Sequence, residues 1–111
     1  MARAGSFRDR VTFLRLLEAD DGYGNTVTGW RQYLVVWADV LESPGREAVA
    51  AGRVEASRTA TMRVRRSAQT AGLTEADRAS CRDRLWNIRS VGAVGRDMAL
   101  LEMVIEAGVA L

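Results

Sequence analysis

The chain has 111 residues and carries 16 basic against 14 acidic side chains, a formal charge of +2. Every basic residue is arginine; without histidine or lysine the chain lacks the usual general base, the commonest metal ligand and Schiff-base chemistry. The length fits one domain, residues 1–111, with a modest core; no apolar run reaches membrane-spanning length, and "MARAGSFRDR" lacks the apolar stretch of a secretory signal.

In chain order, "RVTFLRL" (10–16) alternates, with Val11 and Phe13 on one face and Arg10, Thr12 and Leu14 on the other, the period of a strand. "DGYGNTVTGW" (21–30) follows. Its glycines and Asn25 supply turn positions, and its acids lack the alternate ligands and distal Glu of a calcium loop, so it is read as a hairpin tip. "TVTGWRQYLVVWADVL" (26–41) returns as a second strand, kinked near Gly29. Trp30, Leu34, Val36 and Val40 are expected on one face, and Tyr33, Val35, Trp37 and Leu41 on the other. Both faces are apolar, so the second needs a cover, either a helix laid across it or another protein chain. In the latter case Tyr33, Val35 and Trp37 form a subunit interface.

"ESPGREAVAAGRVEAS" (42–57) offers Ser43 as N-cap and Pro44 at the first helical position, which predicts a short or broken helix, weakened by Gly52, within a long connection. "RTATMRVRR" (58–66) is a clean strand with Ala60, Met62 and Val64 inward. The polar stretch 67–84 is read as a connection with Thr74 capping a short helical turn through Glu75 and Asp77. "LWNIRSVGAV" and "MALLEMVIEAG" close the chain as strands joined by a turn at "GRD", with Leu101, Met103 and Ile105 inward and Arg89 opposite Glu102 and Glu106. The fold class is mainly β and antiparallel.

For chemistry, Cys81 has neither a disulfide partner nor a histidine, and reads as an incidental thiol. The carboxylate pairs Asp20 with Asp21 and Asp77 with Asp83 sit in turn-like settings. No catalytic, metal or cofactor residue is assigned, and the chain is expected not to be an enzyme. Arg58, Arg63 and Arg65 make either a solvated face or a surface that meets DNA phosphates without reading sequence.

Taken in order, "R.RVTF.R", "DGYGNTVTGW", "VWADV", "GRE", "TMRVR" and "W.I..V", from about Arg8 to about Glu106, resemble the phage head-tail joining family, also called head-tail adaptor, head-closure or stopper proteins. The resemblance implies a small antiparallel β-barrel with a short helix or long loop between strands. It also implies a homo-oligomeric ring, a hexamer, with a portal-adaptor protein above, a tail terminator or tail protein below, DNA passing through the channel, and no membrane or cofactor. By the same likeness the connection from Glu42 to Ser57 projects toward the channel axis. Gly45, Arg46 and Glu47 match the "GRE" step, and Ala48, Ala51, Gly52 and Arg53 complete the gating loop. The place of action is then a virion or phage-like particle assembled in the host cytoplasm. The competing reading is a small oligonucleotide-binding barrel, which needs aromatics beside the arginines on one exposed face.

Overall fold

A computed structural model describes residues 7–43 and 58–107. Six antiparallel strands close into a barrel: β1 (Asp9–Asp20), β2 (Thr26–Glu42), β3 (Arg58–Arg65), β4 (Arg78–Cys81), β5 (Arg84–Val94) and β6 (Leu100–Ala107), in the spatial order β1-β2-β3-β6-β5-β4. Closure comes from β4, which pairs with β5 through Arg78–Cys81 and with β1 through Thr12, Phe13 and Leu14. The expected mainly-β barrel is therefore present. The helix expected after Ser43 lies outside the described residues.

Alternation decides which side chains fill the interior. Val11, Phe13, Met62, Val64, Met103 and Ile105 have no exposed area, and Trp86 lies among them with its indole Nε1 donating to the Cys81 carbonyl at 3.2 Å. The inward faces of β3 and β6 are those the sequence alternation assigns.

Three details depart from expectation. The two faces of β2 do not run straight through, because Tyr33 is an extra residue in the ladder: Phe13 opposes Leu34, yet Leu14 opposes Gln32. Such a bulge reverses the facing of everything before it. Trp30 therefore leaves the face of Leu34, Val36 and Val40 and lies on the outer side, where Arg78 stacks on its ring at 3.9 Å. Tyr33 itself turns toward the core cluster. Next, the polar stretch contains the strand β4, and its short helical turn falls at Thr70–Gly72; Thr74 instead closes a turn, its N–H donating to Asp77 at 3.0 Å and its Oγ1 accepting from the Ala76 N–H. Finally, a second register shift between Ile88 and Ser90 sends Arg89 to Glu106 alone at 3.3 Å, while Glu102 is taken by Arg63 at 2.7 Å.

Candidate functional site

The outer face of β2 is apolar and, among the described residues, has no element packed across it. Trp37 is 52% exposed and Leu41 73% exposed, with Val35 half-buried on the same strand parity. Arg10, directly opposite Trp37, lays its guanidinium over the indole at 5.2 Å. Below, Asp39, Leu41, Thr61, Arg63 and Glu102 line an open hollow of about 360 Å³. Arg63 spans it, donating to Glu102 through Nε at 2.8 Å.

The arginines singled out from sequence do not form one row. Arg63 and Arg65 point outward together, but Arg58 has the parity of the inward Ala60 and sits at the barrel mouth, 3.5 Å from Glu42. Arg63 is neutralised by Glu102, and Arg65 stacks on the Phe7 ring at 4.8 Å. Gly45, Arg46, Glu47, Ala48, Ala51, Gly52 and Arg53 lie outside the described residues. Their flanks are fixed: the Ser43 N–H donates to the Thr59 carbonyl at 2.9 Å, which joins the two ends of the connection.

Two polar clasps escaped sequence reasoning. At the mouth, Arg82 on the β4–β5 turn binds both oxygens of Asp9 at 2.9 and 3.0 Å, Glu42 at 2.8 Å and the Val40 carbonyl at 3.0 Å, locking the turn across the ends of β1 and β2. The Arg82 hydrogen bond holds the Glu42 carboxyl below the usual range despite some burial. At the opposite end, Arg15 binds buried Asp77 through Nε and Nη2 at 2.9 and 2.8 Å and the Gly72 carbonyl through Nη2, with its guanidinium 3.8 Å over the Tyr33 ring. The Tyr33 hydroxyl donates to the Gln69 carbonyl at 3.0 Å, and a Cβ on Gly72 would come within 2.6 Å of that hydroxyl, so a larger residue there would displace the Tyr33 hydroxyl from its place. The sequence signal for this clasp was Arg15, a charge on the inward parity of β1.

Nothing in this arrangement activates a nucleophile. Burial pushes the Cys81 thiol up to about 11, and the described residues contain no group of three His, Cys, Asp or Glu side chains positioned to hold a metal. The described surface can bind, stack and pair; it has no base beside a nucleophile.

Among known structures, a protein of Shigella flexneri 2a solved in solution is similar over 96% of this chain and 97% of its own, with a TM-score of 0.66 and 21% identity. A chain in the virion of a native gene transfer agent particle is similar over 90% of this chain and 93% of its own, with a TM-score of 0.65 and 24% identity. At these identities the likeness is one of fold. No curated protein matches in sequence. The family model of the phage head completion protein matches residues 2–108, a span that includes all six strands of the barrel; the chain belongs to that family, and is a structural protein of the phage head and so of the virion.

Proposed function

We propose that the chain is the head-closure, or stopper, component of a phage or phage-like particle. Copies assemble as a hexameric ring beneath the portal-adaptor complex, retain the packaged DNA and present the docking surface for a tail terminator or tail protein. The observation that carries this reading is a filled barrel with an apolar outer strip. Phe13, Met62, Trp86 and Met103 lie fully buried inside a six-stranded barrel, which is too narrow for DNA to pass through its interior. A channel closed by such units has to be formed between copies, from one heterologous contact repeated about an axis.

Val35, Trp37 and Leu41 supply apolar surface for that contact, with Tyr33 setting the bend of the strand behind them. Residues 42–57, with Gly45, Arg46, Glu47, Ala48, Ala51, Gly52 and Arg53, form the gating loop, and the small residues Ala48, Ala50, Ala51 and Gly52 among them let several copies converge. Arg58 and Arg63 face DNA with charge moderated by Glu42 and Glu102, which suits passage better than tight binding. The oligonucleotide-binding alternative is disfavoured because Trp30 and Tyr33 already lie under Arg78 and Arg15, while the outward residues of β3 are threonines and arginines, with Arg63 paired to Glu102.

Shortening the 44–57 connection tests the closure role. The flanking strands are tied by the Ser43–Thr59 hydrogen bond, and loop length carries a small entropic cost, so the barrel is expected to fold. Particles carrying the shortened chain are expected to fill with DNA and then lose it. Normal retention of DNA would place closure elsewhere.

A further inference from the structure

The β1–β2 hairpin reaches well past the barrel. β4 pairs with β1 only as far as Leu14, and β3 pairs with β2 only from Ala38 onward, so residues 15–20 and 26–32 pair with each other and, among the described residues, with no third strand. Six residues of strand extend about 20 Å. Leu16 and Trp30 share one face of this ribbon; Leu17, Ala19 and Val27 share the other, and Leu16, Leu17 and Val27 are each about half exposed. An isolated two-stranded ribbon is marginal in water, and open edges with apolar faces invite pairing. This one is nevertheless mounted firmly, by Arg15 on Asp77 and by Arg78 on Trp30.

The ribbon ends in Tyr23, 89% exposed, beside Glu18, Asp20 and Asp21. None of these three carboxylates has an ion-pair partner among the described residues. Elsewhere, the end of β3 and the β5–β6 turn form a corner of the opposite character. Arg65 ends β3 and Arg66 follows it, and the Arg66 N–H donates to the Ala99 carbonyl at 2.8 Å, which joins them to the turn bearing Arg96 and Met98. Met98 is 58% exposed and, like Asp97, adopts a left-handed conformation that an unbranched non-glycine residue holds at a cost. Even with Asp97 counted, the corner is basic.

We propose that the β1–β2 ribbon is an intersubunit arm, whose tip seats Tyr23 against Met98 and its carboxylates against Arg65, Arg66 and Arg96 of a second copy of the chain. The match has two parts, an aromatic against a thioether and three acids against three arginines. The arm's acids would repel DNA, whereas a second copy satisfies arm and corner together. Each copy would give one arm and receive one, a head-to-tail contact that propagates around an axis. This deepens the ring reading and rests on it, by naming the surfaces that join neighbours.

The test uses full-length chains in solution, so it is independent of whether heads retain DNA. A Tyr23→Cys chain is mixed with a mass-tagged Met98→Cys chain under mild oxidation, both exposed positions leaving the barrel core untouched. The disulfide trap accumulates even weakly associated pairs. The mixed dimer is expected in about tenfold excess over either homodimer and over a control mixture of Tyr23→Cys with Asp83→Cys, which lies at the other end of the barrel. Adding Glu18→Arg to the first chain, or Arg66→Glu to the second, is expected to lower the yield about tenfold, and combining the two to restore it. A mixed dimer no more abundant than the control overturns the proposal. So does an Arg66→Glu chain that cross-links normally but no longer binds a duplex DNA oligonucleotide, because the corner would then be a DNA contact.

Discussion

Asp77 ties Arg15 of β1 to the Thr74 turn at the ribbon end of the barrel. Its carboxylate is almost fully buried, where desolvation alone would raise its pKa. The Arg15 hydrogen bonds and the Thr74 N–H outweigh that and hold it below the ordinary value. A depressed carboxylate pKa contributes stability that is complete above the unfolded value, near 4, and is lost as pH falls through the lower folded value. Asp77→Asn keeps the shape but gives up the charge. It is expected to cost about 1–3 kcal/mol near neutral pH, moderated because Arg15 retains some access to water. The sign of the linkage predicts that the gap between the two proteins narrows in acid, because only the parent loses a charged partner there. Urea unfolding of both at about pH 7 and about pH 3 measures this; a gap that stays constant would mean that the carboxylate charge is not what Arg15 stabilises.

At the scale of the strand, five of the six elements were legible because large apolar residues alternate along them, as in "TATMRV" of β3. The sixth, β4, was not, and the register explains why. Ala79 faces Trp86 across the β4–β5 pair, and both are completely buried. A neighbour this large leaves room only for small residues, so "RASC" carries no hydrophobic signature of its own although Ala79 and Cys81 are core. The Tyr33 bulge was hidden for a related reason: alternation fixes parity only within an uninterrupted ladder, and an inserted residue announces itself in pairing. Likewise the clasps of Arg15 and Arg82 join residues 62 and 73 positions apart, beyond any local pattern. The two-residue turn that seats Arg82 has positive φ at both Arg82 and Asp83, a mirror-image turn that glycine fits best in second place. Arg82 cannot be spared, because it carries the latch to Asp9 and Glu42. Asp83 is exposed with no ion-pair partner among the described residues, so Asp83→Gly is expected to raise stability by a few tenths to about 1 kcal/mol. Thermal and urea midpoints should both rise. A fall would show that Asp83 makes a contribution in the folded protein larger than its backbone strain.

For the molecule as a whole, the decisive property is that the barrel satisfies itself inside and not outside. Its core residues are sealed, yet Trp37 and Leu41 stand on the outer wall with no described element across them. If that wall were needed for folding, replacing Trp37 with a charge would unfold the chain. If it meets another copy, the same change would leave the monomer intact and damage assembly. The indole is half in water and its described stacking partner is Arg10, an interaction worth about 0.5–1 kcal/mol at an exposed site. Trp37→Glu is therefore expected to fold with an unchanged circular dichroism spectrum and to lose no more than about 1 kcal/mol, some of it recovered by the new carboxylate beside Arg10. In particles its effect should be much larger, since an aromatic at the centre of an interface commonly carries a disproportionate share of the binding free energy. Heads assembled with this variant are expected to incorporate few copies of the chain, to leak packaged DNA and to fail at tail attachment, while a change at exposed Glu75, remote from the strip in sequence, leaves all three normal. A folded Trp37→Glu protein that enters particles in full number and retains DNA would show that the outer strip of β2 is not an assembly surface.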